Sequence, residues 1–287
     1  MEKYSKIQQV YNKKFLRDID PKTPVQITEK LHGTNLSFVV NHNSLVACSR
    51  NQELTDGFYN HTEIQDKYAD RLDNVFRALD CKEIQIYGEY VGPGIQKGIN
   101  YGERDWYVFD IKRDGRYLEP ERVYDLCDVY GLKHVPVLWY CTLEEALVAN
   151  NEFDSKVLKV ENNVCEGIVI KPTEVQYTEL DRVIFKSKNE KWAEKAKVKK
   201  APKVSMTEGA KARLMLLLQY ATENRVRAVA SKGVKDSFGK LLGATASDAL
   251  MDAKLDYPLV DFSDVTKAFN KELSSVVRPV FLELLYS

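Results

Sequence analysis

Alternating apolar and polar positions mark the first two thirds of this chain, and helical spacing marks the last third. Short apolar runs at Val25 to Thr28, Leu36 to Val40 and Leu45 to Ser49 predict strands, with Asn41-His42-Asn43 as a turn. Ile84 to Val91 is a fourth apolar strand, stopped by Gly92-Pro93-Gly94. Trp106 to Lys112 and Arg116 to Leu118 flank Asp114-Gly115, a pair suited to a two-residue hairpin. Between these strands the period changes. Ile64, Tyr68, Leu72, Val75, Phe76 and Leu79 form one stripe of a helix capped by Thr62. Pro120 opens a second helix carrying Val123, Leu126, Cys127 and Tyr130 and ending at Gly131, and Thr142 with Glu145 makes a capping box for a third. Hairpins interleaved with helices predict an antiparallel α+β domain rather than a parallel doubly wound one.

From Ser205 the pattern is helical throughout. Ala210 to Val229 contains few breakers, and Ser263 can cap a segment with Val265, Phe269, Leu273, Val276, Val277, Phe281 and Leu285 on one face, kinked at Pro279. The expected organisation is an α+β domain at 1–195, a lysine-rich linker at 196–204 and a small all-helical domain at 205–287.

Composition narrows the class. A 44% hydrophobic content over 287 residues fills a core, and no apolar run approaches the roughly 20 residues of a membrane span. The charged start and the scattered cysteines Cys48, Cys81, Cys127, Cys141 and Cys165 lead us to expect a reduced, cytoplasmic protein without a structural zinc site. The 42 basic and 42 acidic side chains cancel, but their distribution is uneven. Between Lys186 and Lys203 stand eight lysines and only two acids, Glu190 and Glu194, a composition that suits either a solvated linker or a phosphate-binding track.

The candidate chemistry begins at Glu29-Lys30-Leu31-His32-Gly33-Thr34-Asn35. An amine attacks phosphorus only when unprotonated, so a lysine nucleophile needs burial or neighbouring positive charge. Lys186 and Lys188, two apart on a strand, send both ammonium groups from one face and offer that charge. Gly33 would let the backbone pass close to a bound nucleotide. Glu89 lies in an apolar strand and needs a partner, such as a ribose hydroxyl or the lysine. Phe109 offers a face for base stacking beside Asp110. Glu166 precedes a strand ending in Lys171 and is a candidate ligand, direct or through water, for a phosphate-bridging magnesium ion. Singly, each residue has an ordinary structural explanation: Lys30 as an exposed strand lysine, Phe109 as core, Asp110 as a turn former, Glu166 as a cap. Together they describe a pocket that activates a lysine, holds a purine nucleotide and neutralises its phosphates.

These strings, with Gly88-Glu89-Tyr90 running into Gly92-Pro93-Gly94-Ile95-Gln96-Lys97 and Tyr107-Val108-Phe109-Asp110-Ile111, resemble the RNA ligase 2 family within the covalent nucleotidyltransferases. That family includes the phage-type and kinetoplastid-editing ATP-dependent RNA ligases. The resemblance covers roughly residues 1–195. DNA ligases and capping enzymes carry an acid where this chain has His32, and no arginine-rich sixth motif is visible. The resemblance implies an ATP-grasp-like, antiparallel-sheet nucleotidyltransferase domain and a three-step reaction. Lys30 would take AMP from ATP with a magnesium or manganese ion present. The AMP would pass to an RNA 5′-phosphate, and a 3′-hydroxyl would then displace it.

By the same resemblance Glu89 would hold the ribose, Phe109 would stack on adenine and Arg50 would contact sugar or phosphate. Lys186 and Lys188 would neutralise the α-phosphate, and Glu166 would engage the metal. His32 would help pyrophosphate leave, Asn35 would hold metal-bound water and Glu29 would act through its backbone. Lys171 would join the nucleotide-binding residues and Asp110 is a further candidate; both match the pattern, with less sharply defined tasks. The expected partner is RNA, as a nicked duplex or broken ends with 5′-phosphate and 3′-hydroxyl, acted on by a monomer. The alternatives are another covalent nucleotidyltransferase, meaning a DNA ligase or capping guanylyltransferase, and a catalytically silent RNA-binding protein.

Overall fold

Our computed structural model describes residues 1–55, 57–192, 206–234 and 237–285. The predicted boundary at 195 and the linker at 196–204 therefore lie outside the described residues, as does most of the lysine-rich tract. In chain order the elements of the first part are β1 (Gln8–Gln9), α1 (Lys13–Leu16), β2 (Pro24–Lys30), β3 (Thr34–Asn41), β4 (Ser44–Cys48), α2 (His61–Leu79) and β5 (Glu83–Val91). Then follow β6 (Asp105–Arg113), β7 (Arg116–Tyr117), α3 (Pro120–Tyr130), β8 (Val137–Thr142), α4 (Leu143–Leu147), β9 (Gly167–Pro172) and β10 (Phe185–Lys188). The second part holds α5 (Glu208–Leu218), α6 (Glu223–Ala230), α7 (Phe238–Asp256) and α8 (Thr266–Leu285). Two compact units result, Met1–Tyr11 with Phe15–Asn189, and Asn12–Lys14 with Glu190–Ser287.

The first unit contains two five-stranded sheets, ordered β1-β10-β9-β2-β8 and β4-β3-β5-β6-β7. Neighbouring strands are antiparallel except for the short parallel β1–β10 pair. In the first sheet Val25, Ile27, Ile168, Ile170 and Phe185 share one face and pack with Phe15, Leu143 and Ala146. Because strand residues alternate faces, the opposite face is fixed by register: Lys30 beside Gly167 and Lys188, Thr28 beside Val169 and Lys186, and Gln26 beside Lys171. The second sheet turns Leu36, Phe38, Ile84, Ile86 and Trp106 toward α2, where the Tyr68 and Trp106 rings lie 5.8 Å apart. Its other face carries Asn35, Tyr87, Glu89, Tyr107 and Asp110. A cluster of Tyr4, Tyr87, Tyr117, Ile184, Phe109 and Val169 joins the polar faces of the two sheets. The candidate residues therefore look into the space between the sheets.

The Asp114-Gly115 turn takes the expected left-handed pair, φ 47° and 79°. The α2 stripe is buried as predicted, but Thr62 does not cap the helix. Asn60, at φ 55°, turns the chain and the helix starts at His61. In the second unit the run from Ala210 to Val229 is two helices. Thr222 interrupts it, and its side chain accepts from Arg225 N at 3.2 Å. The α7 helix lies within the expected helical domain, but no apolar stripe delimits it in the sequence, because its buried positions Leu241, Thr245, Ala249 and Ala253 are mostly small residues. The α8 helix includes Pro279 within its span.

Candidate active site

The β2 strand delivers Lys30 at its last position, where Nζ lies 2.7 Å from Glu166 Oε2. Lys188, on β10, reaches Glu166 Oε1 at 2.8 Å, and His32 Nδ1 stands 3.3 Å from Oε2. One buried carboxylate thus gathers two lysines and a histidine. Gly167 makes this closeness possible. At φ 144° it lies between Lys30 and Lys188, and a Cβ there would come within 2.0 Å of the Ser187 carbonyl. Burial opposes ionisation of Glu166, but Lys188, Lys30 and His32 outweigh it and hold the carboxyl well below its usual range.

Between β2 and β3 the backbone N–H groups are held by side chains. His32 N donates to the Tyr101 hydroxyl at 2.8 Å, and Gly33 N donates to Glu89 Oε1 at 3.0 Å. Gly33 is required by β5: a Cβ there would lie 2.1 Å from the Tyr90 carbonyl. Glu89 stands between Asn35 and Tyr107 across three strands. Burial lifts its carboxyl to about 7, with Glu166 adding to the rise and Lys30, the Gly33 N–H and Arg50 opposing it. A carboxyl with a raised folded pKa stabilises the fold least once pH exceeds that value. Its penalty is absent below the unfolded carboxyl range, grows through the interval and is complete above about 7. Glu89→Gln, which keeps an oxygen for Gly33 N, is therefore expected to raise stability at about pH 8 by on the order of 2 kcal/mol, and to have no such effect near pH 4. Thermal melts of both proteins across that range test the sign.

Phe109 is the extra residue of a β-bulge, since Tyr87 pairs with Asp110 and Gly88 with Val108. Its half-buried ring meets Tyr4 edge-on at 5.0 Å. Behind it lies a cluster that the sequence only half revealed. Asp110 is paired with Lys171 at 2.9 Å and Arg182 at 3.0 Å and also accepts from the Tyr4 hydroxyl. Lys171 donates to the Phe109 carbonyl as well. Both Asp110 and Lys171 are buried in this network. Through the Phe109 carbonyl and the Asp110 carboxylate, Lys171 supports the bulge that presents the Phe109 ring.

Lys186 shares the pocket face with Lys188 and is half-buried. Arg50, just past β4, is near enough for its charge to act on Glu89. Glu29 points to the opposite face from Lys30 and accepts from Lys156 N at 2.7 Å, which leaves only its main chain on the pocket side. The residues missed by sequence reasoning are Tyr4, Arg182 and Tyr101.

For a metal, the relevant donors are Glu89, Glu166 and Asn35. Among the described residues no group of three His, Cys, Asp or Glu side chains could hold an ion alone. That set fits magnesium, which keeps its waters and takes one or two carboxylates plus substrate phosphates. Both Glu166 oxygens already meet protein cations, so an ion there would share the carboxylate with Lys30 and Lys188.

A family model described as RNA ligase matches residues 23–188, more than half of the chain. Solved structures of Naegleria gruberi RNA ligase share the fold. A variant without ligand is 22% identical, covers 66% of this chain and 55% of its own length, and has a TM-score of 0.54. A variant with ATP and Mn is 21% identical, with 67% and 57% coverage and a TM-score of 0.55. A third, with AMP and Mn, gives 21%, 67%, 57% and 0.56. The chain thus spans little more than half the length of those proteins.

Proposed function

The chain belongs to the RNA ligase family, and from that membership we propose that it is an ATP-dependent RNA ligase joining a 3′-hydroxyl to a 5′-phosphate. The observation that carries the reading is Glu166 holding Lys30 and Lys188 at 2.7 and 2.8 Å on one polar sheet face. That spacing is what a phosphate would need if it replaced the carboxylate as the anion between the two amines. The Naegleria ligase structures with ATP or AMP and Mn support the choice of nucleotide and ion.

In the proposed reaction Lys30 Nζ, having shed a proton, forms a bond to the α-phosphorus of ATP. The bond to the bridging oxygen breaks, and its electron pair leaves with pyrophosphate. Lys188 and Lys186, leaving β10 on the same face, stabilise charge that develops on the α-phosphate. His32 is placed beside the nucleophile to assist departure, Glu89 takes the ribose and Phe109 the adenine. A divalent cation held by Glu166, Asn35 through water, and the phosphates would supply further charge neutralisation. An RNA 5′-phosphate oxygen next attacks the lysyl-AMP phosphorus and frees Lys30. A 3′-hydroxyl then attacks the activated 5′-phosphate and releases AMP.

We extend the proposal to nicked duplex RNA, because eight lysines against two acids between Lys186 and Lys203 suit a phosphate backbone read by shape. The test is incubation of the full chain with α-labelled ATP and magnesium, followed by peptide mass mapping. We expect one AMP per chain, attached at Lys30 and discharged by 5′-phosphorylated nicked duplex RNA. Labelling by GTP in place of ATP, or an adduct elsewhere, overturns the reading.

A further inference from the structure

The loop from Gly92 to Arg104, between β5 and β6, has no regular structure, yet it buries Ile95, Ile99 and Tyr101. A buried loop must satisfy its polar groups specifically, and long ordered loops of this kind are usually functional. Two sets of bonds do so here. The Tyr101 hydroxyl, on a side chain only 6% exposed, accepts from His32 N. The neighbouring Asn100 exchanges two hydrogen bonds with Asn163, its N donating to Oδ1 and its carbonyl accepting from Nδ2, both at 2.7 Å. Asn163 is itself buried, stands three residues before Glu166, and accepts through its carbonyl from Ser155 N at 2.9 Å. The next N–H, that of Lys156, goes to Glu29. The chain of bonds therefore starts two residues after Lys30, crosses the loop, and returns to the segments that carry Glu166 and Glu29.

We propose that Tyr101 and Asn163 form a clamp that sets the alignment of Lys30 and His32 on Glu166, acting as positioning residues for lysine adenylylation. His32 N has Tyr101 and Gly33 N has Glu89 as their bonding partners. Removing the Tyr101 oxygen takes away the acceptor of His32 N and leaves the Gly33 N bond to Glu89 in place. The imidazole and the lysine amine then sample a wider range around Glu166. The nucleotide's own contacts, at Glu89, Phe109 and Arg50, lie on other elements and are untouched.

The inference rests on the ligase reading, so the experiment separates them. Wild type, Tyr101→Phe, Asn163→Asp and the double variant are mixed with ATP and magnesium in single turnover, and both rate constant and amplitude of AMP–lysine formation are recorded. We expect Tyr101→Phe to lower the rate constant about tenfold at full amplitude, with the ATP concentration for half-maximal rate moving less than about twofold. Asn163→Asp, which keeps the acceptor and loses the donor, is expected to slow the reaction less. The double variant should be no slower than their product and close to the slower single, as members of one clamp couple. A purely structural role would lower amplitude and melting temperature and leave the rate constant alone, and that pattern overturns the clamp. So does a wild-type rate in Tyr101→Phe. Failure of the wild-type protein itself to form the adduct counts against the ligase reading instead.

Discussion

Lys30→Ala is expected to form no AMP adduct at all, because among the described residues no other amine stands where Nζ does. Lys188 is held on the far oxygen of Glu166, and the two amines meet different atoms of one carboxylate. The side chain of Lys30 is 18% exposed and contributes one ion pair, so its loss leaves Glu166 still paired with Lys188 and near His32. The fold should survive with a stability change within about 1–2 kcal/mol. The proposed third step does not use the Lys30 amine as nucleophile. RNA supplied already adenylylated at its 5′-phosphate should therefore still be sealed by the variant, while RNA with a plain 5′-phosphate and ATP should not. Gel analysis of both substrates checks this. An adduct surviving in the variant would sink the assignment, and loss of sealing on the adenylylated substrate would make Lys30 more than a carrier.

Much of this site was legible because its parts sit on strands with a simple period. Lys186 and Lys188 face one way because they are two apart, and Lys30 joins them through the β2–β9–β10 register. The α2 stripe and the Asp114-Gly115 turn were legible for the same reason, since local pattern determines them. What escaped was set by pairings between distant positions. Tyr101 is 69 residues from His32, Tyr4 is 106 from Asp110 and Arg182 is 72 from it, and no short string encodes such a meeting. Gly33 shows the same limit from another side. The glycine was identified, but its neighbour is a β5 carbonyl that only folding brings near. The β8 strand escaped because it is a sheet edge with Trp139 and Tyr140 exposed, which erases the inside–outside alternation.

Asp110→Ala should cost more stability than any other single change on the pocket side. Asp110 has no exposed surface, and its removal strands Lys171 and Arg182, each 2% exposed, with no opposing charge. Breaking a buried pair this way costs about 3–5 kcal/mol, a large part of the total stability of a domain of ordinary stability. The pH dependence identifies the cause. Burial pushes the Asp110 carboxyl up, yet Lys171 and Arg182 prevail and hold it below its usual value. Its stabilisation is therefore present above the unfolded carboxyl pKa of about 4 and lost only as pH falls below it. The gap between wild type and Asp110→Ala, read from urea midpoints, should be wide near neutrality and close in strong acid. Burial already presses the Lys171 ammonium toward its neutral form, and Asp110 resists that. In the variant Lys171 should neutralise more readily, so the gap should narrow on the alkaline side too. Adding Lys171→Met to Asp110→Ala removes one stranded charge and should recover part of the loss. If the second change instead adds its own full cost, the damage comes from lost packing around Phe109 rather than from uncompensated charge.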